Sequence, residues 1–106
     1  MSTHKDNAIL YSAEKALKLT GNYFKPLLVS HLKRKFNSGL DIILTQPGKF
    51  HDSVAELFGE YTARLLENLI VEIILKGPPP EKSIHDFSRF IQQVRNGEVE
   101  ISANDR

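Results

Sequence analysis

Adjacent histidine and aspartate side chains are the residues of this sequence best suited to chemistry. They occur as His51-Asp52 and His85-Asp86, and His31 supplies a further imidazole. Metal-dependent phosphohydrolases use such pairs, because imidazole and carboxylate groups together bind divalent ions. Both pairs, however, fall in the first turn of a predicted helix, where the helix dipole stabilises aspartate. We therefore predict no metal and no cofactor at these positions.

Nucleophilic catalysis has no support in the sequence. The chain has no cysteine, which excludes thiol nucleophiles, disulfides, thiolate zinc sites and iron–sulfur clusters. It contains no glycine-rich phosphate loop and no Gly-x-Ser-x-Gly motif. The helical metal-binding spacings His-x-x-x-His and Glu-x-x-His are also missing. We predict a protein without catalytic residues, which is not an enzyme.

Charge is distributed unevenly, although the whole chain carries a net charge of only +1. Residues 23–49 contain five basic residues and one acidic residue, whereas residues 50–76 contain two basic and five acidic residues. The basic residues can contact nucleic-acid phosphates. They can equally form a solvated helix end, where basic residues complement the helix dipole, or pair with the acidic third helix. The nucleic-acid candidates are Lys25, Lys33, Arg34, Lys35 and Lys49.

Glycine and proline divide the chain into four predicted helices. The first spans residues 8–19, with leucines and alanines at helical spacing of three and four. Asp6 or Asn7 is predicted to cap its start, and Gly21 to end it in a left-handed conformation.

The second helix is predicted over residues 24–36, because Pro26 is tolerated only in the first turn of a helix. Residues 40–44 are short and apolar, so they suit one helical turn or a short strand; we favour the turn, since no partner strand is evident. Residues 98–101 alternate in polarity, and whether they form a turn or a strand stays open.

The third predicted helix is the centre of the molecule and runs from Pro47 to Lys76. Pro47 suits the first helical position, and Gly77 followed by three prolines stops the helix. Its polar residues form one narrow stripe at steps of four: Glu56, Glu60, Arg64, Asn68, Glu72 and Lys76. Because such a stripe leaves most of the helix apolar, other helices or a partner subunit must cover it.

The same spacing predicts which side chains of this helix are buried. Glu56, Glu60, Arg64 and Glu72 are expected to be exposed. The leucines and isoleucines off the stripe are expected to be buried: Leu57, Leu65, Leu66, Leu69, Ile70 and Ile73.

Small residues at steps of four give the third helix a predicted packing seam at Ala55, Gly59 and Ala63. Glycine inside a helix costs about 1 kcal/mol relative to alanine, so we expect another helix to approach closely there. That helix belongs either to the same chain or to a second subunit. The interface candidates are Ala55, Phe58, Gly59, Tyr61, Thr62 and Ala63.

The fourth predicted helix begins at a cap on Ser83 and ends at Gly97. Its apolar face is predicted from spacings of three and four. The residues of that face are Ile84, Phe87, Phe90, Ile91 and Val94.

Several segments of the third helix resemble a family of small archaeal helical domains of unknown function. The matching segments are Pro47-Gly-Lys-Phe50, Leu57-Phe58-Gly59 and Leu66-Glu67 with Ile70, and the similarity extends faintly over residues 8–76. The resemblance implies an all-helical fold and an archaeal source, and it brings no catalytic residues.

The prediction is a single all-α domain over residues 1–106, with disordered ends at 1–6 and 102–106. About four helices surround the long third helix, with dimerisation as a way to complete the core. The chain is expected to be cytoplasmic, because it shows no signal peptide and no span of about 20 apolar residues. We expect a non-enzymatic module that binds itself as a homodimer, or another protein. The alternative is a small nucleic-acid-binding regulator.

Overall fold

A computed structural model describes residues 4–76 and 87–98 of the chain. Those residues form an all-α bundle of six helices, and none of them lies in a strand. The predicted fold class is therefore confirmed. The helices are α1 (His4–Thr20), α2 (Phe24–Phe36), α3 (Ile42–Thr45), α4 (Pro47–Phe58), α5 (Glu60–Leu75) and α6 (Phe87–Arg95).

Helix α1 is longer at its N-terminal end than the sequence indicated. Asp6 lies inside the helix and is buried rather than capping its start, because its carboxylate pairs with Arg95 of α6. Gly21 does not adopt the predicted left-handed conformation. Its amide instead donates to the carbonyl of Leu17 at 3.1 Å and continues the helical hydrogen bonding.

Helix α2 has the predicted bounds. Pro26 lies in its first turn, and Asn37 ends the helix in a left-handed conformation with φ of 54°. Residues 40–44 suited either a helical turn or a strand, and the favoured turn is confirmed, since α3 makes one helical turn there. Pro47 then takes the first position of α4, as predicted.

The prediction of one long third helix is wrong, because the chain turns at Gly59 and forms two helices, α4 and α5. Gly59 has φ of 98° and ψ of 157°, a conformation that is essentially restricted to glycine. A Cβ atom built on Gly59 would meet nothing within 4 Å. The glycine is therefore required by the backbone conformation of a corner, and the proposed seam of close helix approach at this residue does not exist.

The core lies where α5 packs against α1 and α4. The α5 residues that face it are Ala63, Leu66, Ile70, Val71 and Ile74. Burial of Leu66 and Ile70 is thus confirmed, whereas Leu57, Leu69 and Ile73 are half-buried.

The burial prediction fails at Leu65, which is 44% exposed. Leu65 follows Arg64 on the side of α5 that faces away from the core, because the core-facing row of residues 63, 66, 70 and 74 excludes it. Among the charged residues, Glu56, Glu60 and Arg64 are exposed as expected, while Glu72 is half-buried.

Helix α6 packs against α1, α3 and α4. Its predicted apolar residues Phe87, Phe90, Ile91 and Val94 are buried, and Gly97 ends it with φ of 82°. Ser83 and Ile84, and residues 99–101 of the alternating segment, lie outside the described residues. The guanidinium of Arg95 donates from Nε to Asp6 Oδ1 and from Nη1 to the carbonyl of Leu44, each at 2.8 Å.

Candidate functional site

The basic segment is partly neutralised by an acidic residue of the same chain. Lys35 Nζ donates to both carboxylate oxygens of Glu56, at 2.9 and 2.8 Å, and His31 Nε2 lies 3.0 Å from Glu56 Oε1. The hydrogen bond from Lys35 and, secondarily, the contact with His31 lower the pKa of Glu56 despite an opposing effect of desolvation. The pairing of the basic second helix with the acidic predicted third helix is therefore present, and it lies between α2 and α4.

Two more of the nucleic-acid candidates also contact groups of the chain. Lys25 Nζ lies 3.5 Å from Glu14, and Lys49 Nζ lies 5.1 Å from the ring centroid of Phe36. Lys33 and Arg34 are exposed near the end of α2.

An open groove lies between α2 and α4 beside these lysines. Its volume is about 580 Å³, and its lining mixes both signs of charge with an aromatic ring. The lining residues are Lys35, Phe36, Lys49, Asp52, Ala55 and Glu56. Two carboxylates in the lining make it a poor match to a phosphate backbone.

The six interface candidates do not share one face of the molecule. Ala63 is fully buried in the core, so it has no surface to offer a partner. Ala55 lines the groove, and Phe58 stacks on Phe24 with ring centroids 4.2 Å apart. Tyr61 is 78% exposed. Gly59 is exposed and Thr62 is half-buried.

The stacked rings of Phe24 and Phe58 join two corners of the chain. Phe24 begins α2 just after the corner that follows α1, and Phe58 ends α4 just before the corner at Gly59. The stack therefore holds the α1–α2 corner and the α4–α5 corner at the same end of the bundle.

Large apolar side chains are exposed close in sequence to these two corners. We call this group the corner surface: Leu19, Tyr23, Leu27 and Tyr61. Tyr23 is 77% exposed and precedes Phe24, while Tyr61 follows Phe58 by three residues. Single exposed apolar residues are ordinary, but these four all lie within four residues of the two corners, at residues 21–23 and 59, that the ring stack joins. The sequence signal for this surface is the aromatic pair Tyr23-Phe24 directly after Gly21-Asn22, and the interface prediction did not include it.

His51 is the second notable site, and its partners are glutamates rather than its neighbour Asp52. Its Nε2 lies 3.0 and 3.1 Å from the two carboxylate oxygens of Glu60, and its Nδ1 contacts Glu67 Oε2. The spacing of seven between Glu60 and Glu67 places both carboxylates on one side of α5. That spacing was the available sequence signal for the pair.

Within residues 4–76 and 87–98, no group of three histidine, aspartate or glutamate side chains has an arrangement that could hold a metal ion. The His85-Asp86 pair lies outside the described residues.

The family model of Nitrosopumilus output domain 5 matches residues 3–96 of the chain. The chain belongs to that family. The output domain is also similar to a solved archaeal protein, PH0832 from Pyrococcus horikoshii OT3, with a TM-score of 0.77 and 26% sequence identity. The similarity covers 92% of this chain and 100% of the Pyrococcus chain. No curated protein matches the chain.

Both similarities support the archaeal origin and the helical fold that the resemblance implied. The family match extends from α1 through α6, so the corner surface and His51 lie within the output domain. None of its helices in the described part of the chain is long and apolar enough to cross a membrane.

Proposed function

We propose that this output domain is a non-enzymatic interaction module that associates with a second copy of itself through the corner surface. The observation that carries the proposal is the exposure of Tyr23 and Tyr61 next to the two corners that the Phe24–Phe58 stack joins. Tyrosine suits an interface because its ring offers a large apolar area with few rotatable bonds.

A second copy is favoured as the partner because the corner surface consists of apolar and tyrosine side chains, and a patch of that kind can pack against its own copy about a two-fold axis. The net charge of +1 opposes the approach of two identical chains only weakly. The word "output" in the family's name is in keeping with a module that acts by contacting a protein.

The non-enzymatic part of the proposal is supported by the engagement of the two histidines that contact carboxylates. His31 contacts Glu56 between α2 and α4, and His51 contacts glutamates of α5 from α4. Both imidazoles thus join helices.

Nucleic-acid binding ranks below association. Three of its five candidates, Lys25, Lys35 and Lys49, already contact acidic or aromatic groups of the chain. The groove beside Lys35 also carries the carboxylates of Asp52 and Glu56, which repel phosphate.

The test is the molar mass in solution, measured by sedimentation equilibrium over a hundredfold range of protein concentration. We expect the wild type to shift from monomer to dimer as concentration rises. The double variant Tyr23→Ser/Tyr61→Ser should weaken association at least tenfold, because it removes both exposed rings.

Tyr11→Ser is the matched control, since Tyr11 is 59% exposed on α1 and lies outside the corner surface. It should leave the association constant unchanged, and circular dichroism should show all variants folded. A wild type that stays monomeric throughout, or a Tyr11→Ser variant as weak as the double variant, would overturn the proposal.

A further inference from the structure

His51 occupies an unusual position between two carboxylates of the next helix. Both of its ring nitrogens face an acceptor: Nε2 faces Glu60, and Nδ1 faces Glu67. Glu60 is the first residue of α5 after the Gly59 corner, and Glu67 lies two turns further along. The imidazole therefore joins α4 to α5 at two points, one of them directly beside the corner.

A neutral imidazole cannot make both contacts favourably. It carries one N–H, so whichever tautomer forms, the other nitrogen directs its lone pair at a carboxylate. Only the imidazolium donates to both glutamates at once. We propose that His51 is a proton-dependent clamp, which holds α4 against α5 across the Gly59 corner when protonated and loosens when it loses its proton.

The charged surroundings of the clamp are consistent with this assignment. From α5, Arg64 Nε donates to Glu60 at 3.3 Å, which fixes that carboxylate beside the histidine. From α2, His31 and Lys35 contact Glu56.

Helices α6 and α3 also pack on α4, and α6 carries two charged residues, Arg89 and Arg95. Helix α6 meets α4 through Phe87 against Phe50, and its Arg95 is bound to Asp6 of α1. Helix α3 consists of Ile-Ile-Leu-Thr and carries no titratable side chain. The carboxylates of Glu60 and Glu67 are therefore the described groups that hold the proton on His51.

The pKa directions agree with the geometry. Burial lowers the pKa of His51, but the hydrogen bonds and charges of Glu67 and Glu60 more than offset it, so the net pKa is raised. Burial raises the pKa of Glu67, although contact with His51 opposes that rise. Desolvation also acts to raise the pKa of Glu60, but Arg64 and His51 outweigh it and lower that pKa.

The sign of the pH dependence follows from these directions. A raised folded-state pKa for His51 means that its contribution to stability is full below the unfolded-state pKa and is lost as pH rises through the folded-state pKa. The lowered pKa of Glu60 means that its contribution is lost as pH falls through that pKa. The clamp is therefore strongest at mildly acidic pH.

The corner gives the clamp a local consequence. Nothing lies within 4 Å of the position that a Cβ of Gly59 would take, so side-chain packing at this residue does not hold the corner. Loss of the clamp should increase local opening at the start of α5. This inference concerns the isolated chain and does not depend on the proposed association.

The experiment measures thermal unfolding between pH 5 and 9 and amide hydrogen exchange of Gly59 and Ala63, which donate to the carbonyls of Ala55 and Gly59, corrected for the intrinsic exchange rate. In the wild type we expect the melting temperature to fall as pH rises through the pKa of His51, and the protection of the hydrogen-bonded amides of Gly59 and Ala63 to drop at least threefold. Titration of the His51 ring by NMR should give a pKa above the ordinary value for histidine.

His51→Gln keeps a hydrogen-bonding side chain and removes the titration, so both pH-dependent changes should disappear. His31→Gln is the matched control, because His31 contacts one carboxylate instead of two, and it should retain them. Glu60→Gln should lower the pKa of His51 while leaving the chain folded. The clamp is refuted if His51→Gln keeps the wild-type pH profile, or if the His51 pKa lies at or below its ordinary value.

Discussion

The α1–α2 corner and the α4–α5 corner each contain a glycine, but for different physical reasons. The φ of Gly21 does not lie in the left-handed region, and a Cβ built on this residue would lie 3.2 Å from Cδ1 of the Phe24 ring. Gly59 has open space around it and φ of 98°. The first corner therefore excludes a side chain by crowding, and the second excludes it by backbone conformation.

The two corners are therefore stabilised by different interactions, although they lie at the same end of the bundle. Phe24 supplies both the crowding at Gly21 and one ring of the stack with Phe58. The α4–α5 corner depends instead on the φ of Gly59 and on the contacts that His51 makes with Glu60 and Glu67. The loss of stability on substituting each glycine should therefore depend on a different second substitution.

The largest effect is expected from Gly59→Ala. An L-residue in this glycine-restricted region is strained, so unfolding free energy should fall by about 1–3 kcal/mol in urea denaturation, even though space is available for the methyl group. Gly48→Ala is the control, since Gly48 lies inside α4 and a Cβ built on it would lie 3.9 Å from Ser88 Oγ, an ordinary van der Waals distance. That variant should be neutral or up to about 1 kcal/mol more stable. Equal stability of Gly59→Ala and wild type would contradict the corner conformation.

The ring stack should give an intermediate effect. In a double-mutant cycle with Phe24→Leu and Phe58→Leu, the coupling energy should be about 0.5–1.5 kcal/mol, because the stacked rings interact beyond the area they bury. The same cycle between Phe24 and Phe50 provides the control, since Phe50 stacks on Phe87 instead. Additive losses at Phe24 and Phe58 would show that the two corners are not joined by this contact.

The smallest effect is expected from Gly21→Ala. The added methyl group must displace the Phe24 ring by a few tenths of an ångström, and unfolding free energy should fall by less than about 1 kcal/mol. Chemical denaturation in the Phe24→Leu background separates crowding from conformation, because the loss should vanish once the ring is gone. A loss that persists there would mean that Gly21 is required by its backbone after all.

Local signals explain which helices were predictable. Pro26 and Asn37 each act within one turn of the chain, so the bounds of α2 could be predicted, as could the start of α4 at Pro47. The apolar face of α6 was equally predictable, because Phe87, Phe90, Ile91 and Val94 keep helical spacing.

Non-local contacts explain what the sequence did not show. The steps of four continue from Glu56 through Glu60 to Arg64, so periodicity alone does not reveal the corner at Gly59. Asp6 has the local features of a helix cap, and its role depends on Arg95, 89 residues away. The partners of His51 were likewise hidden, because they face it only after the chain has turned at Gly59.

That turn also determines the outline of the molecule. Residues 47–75 as one straight helix would measure about 43 Å at 1.5 Å per residue, whereas the longest dimension of the described part of the chain is 34 Å. An unbroken helix would extend beyond the bundle as a rod whose end no other helix reaches. Because a single glycine folds this length back, α5 is covered along its length by α1 and α4 of the same chain, and the apolar part of the segment needs no second molecule to shield it.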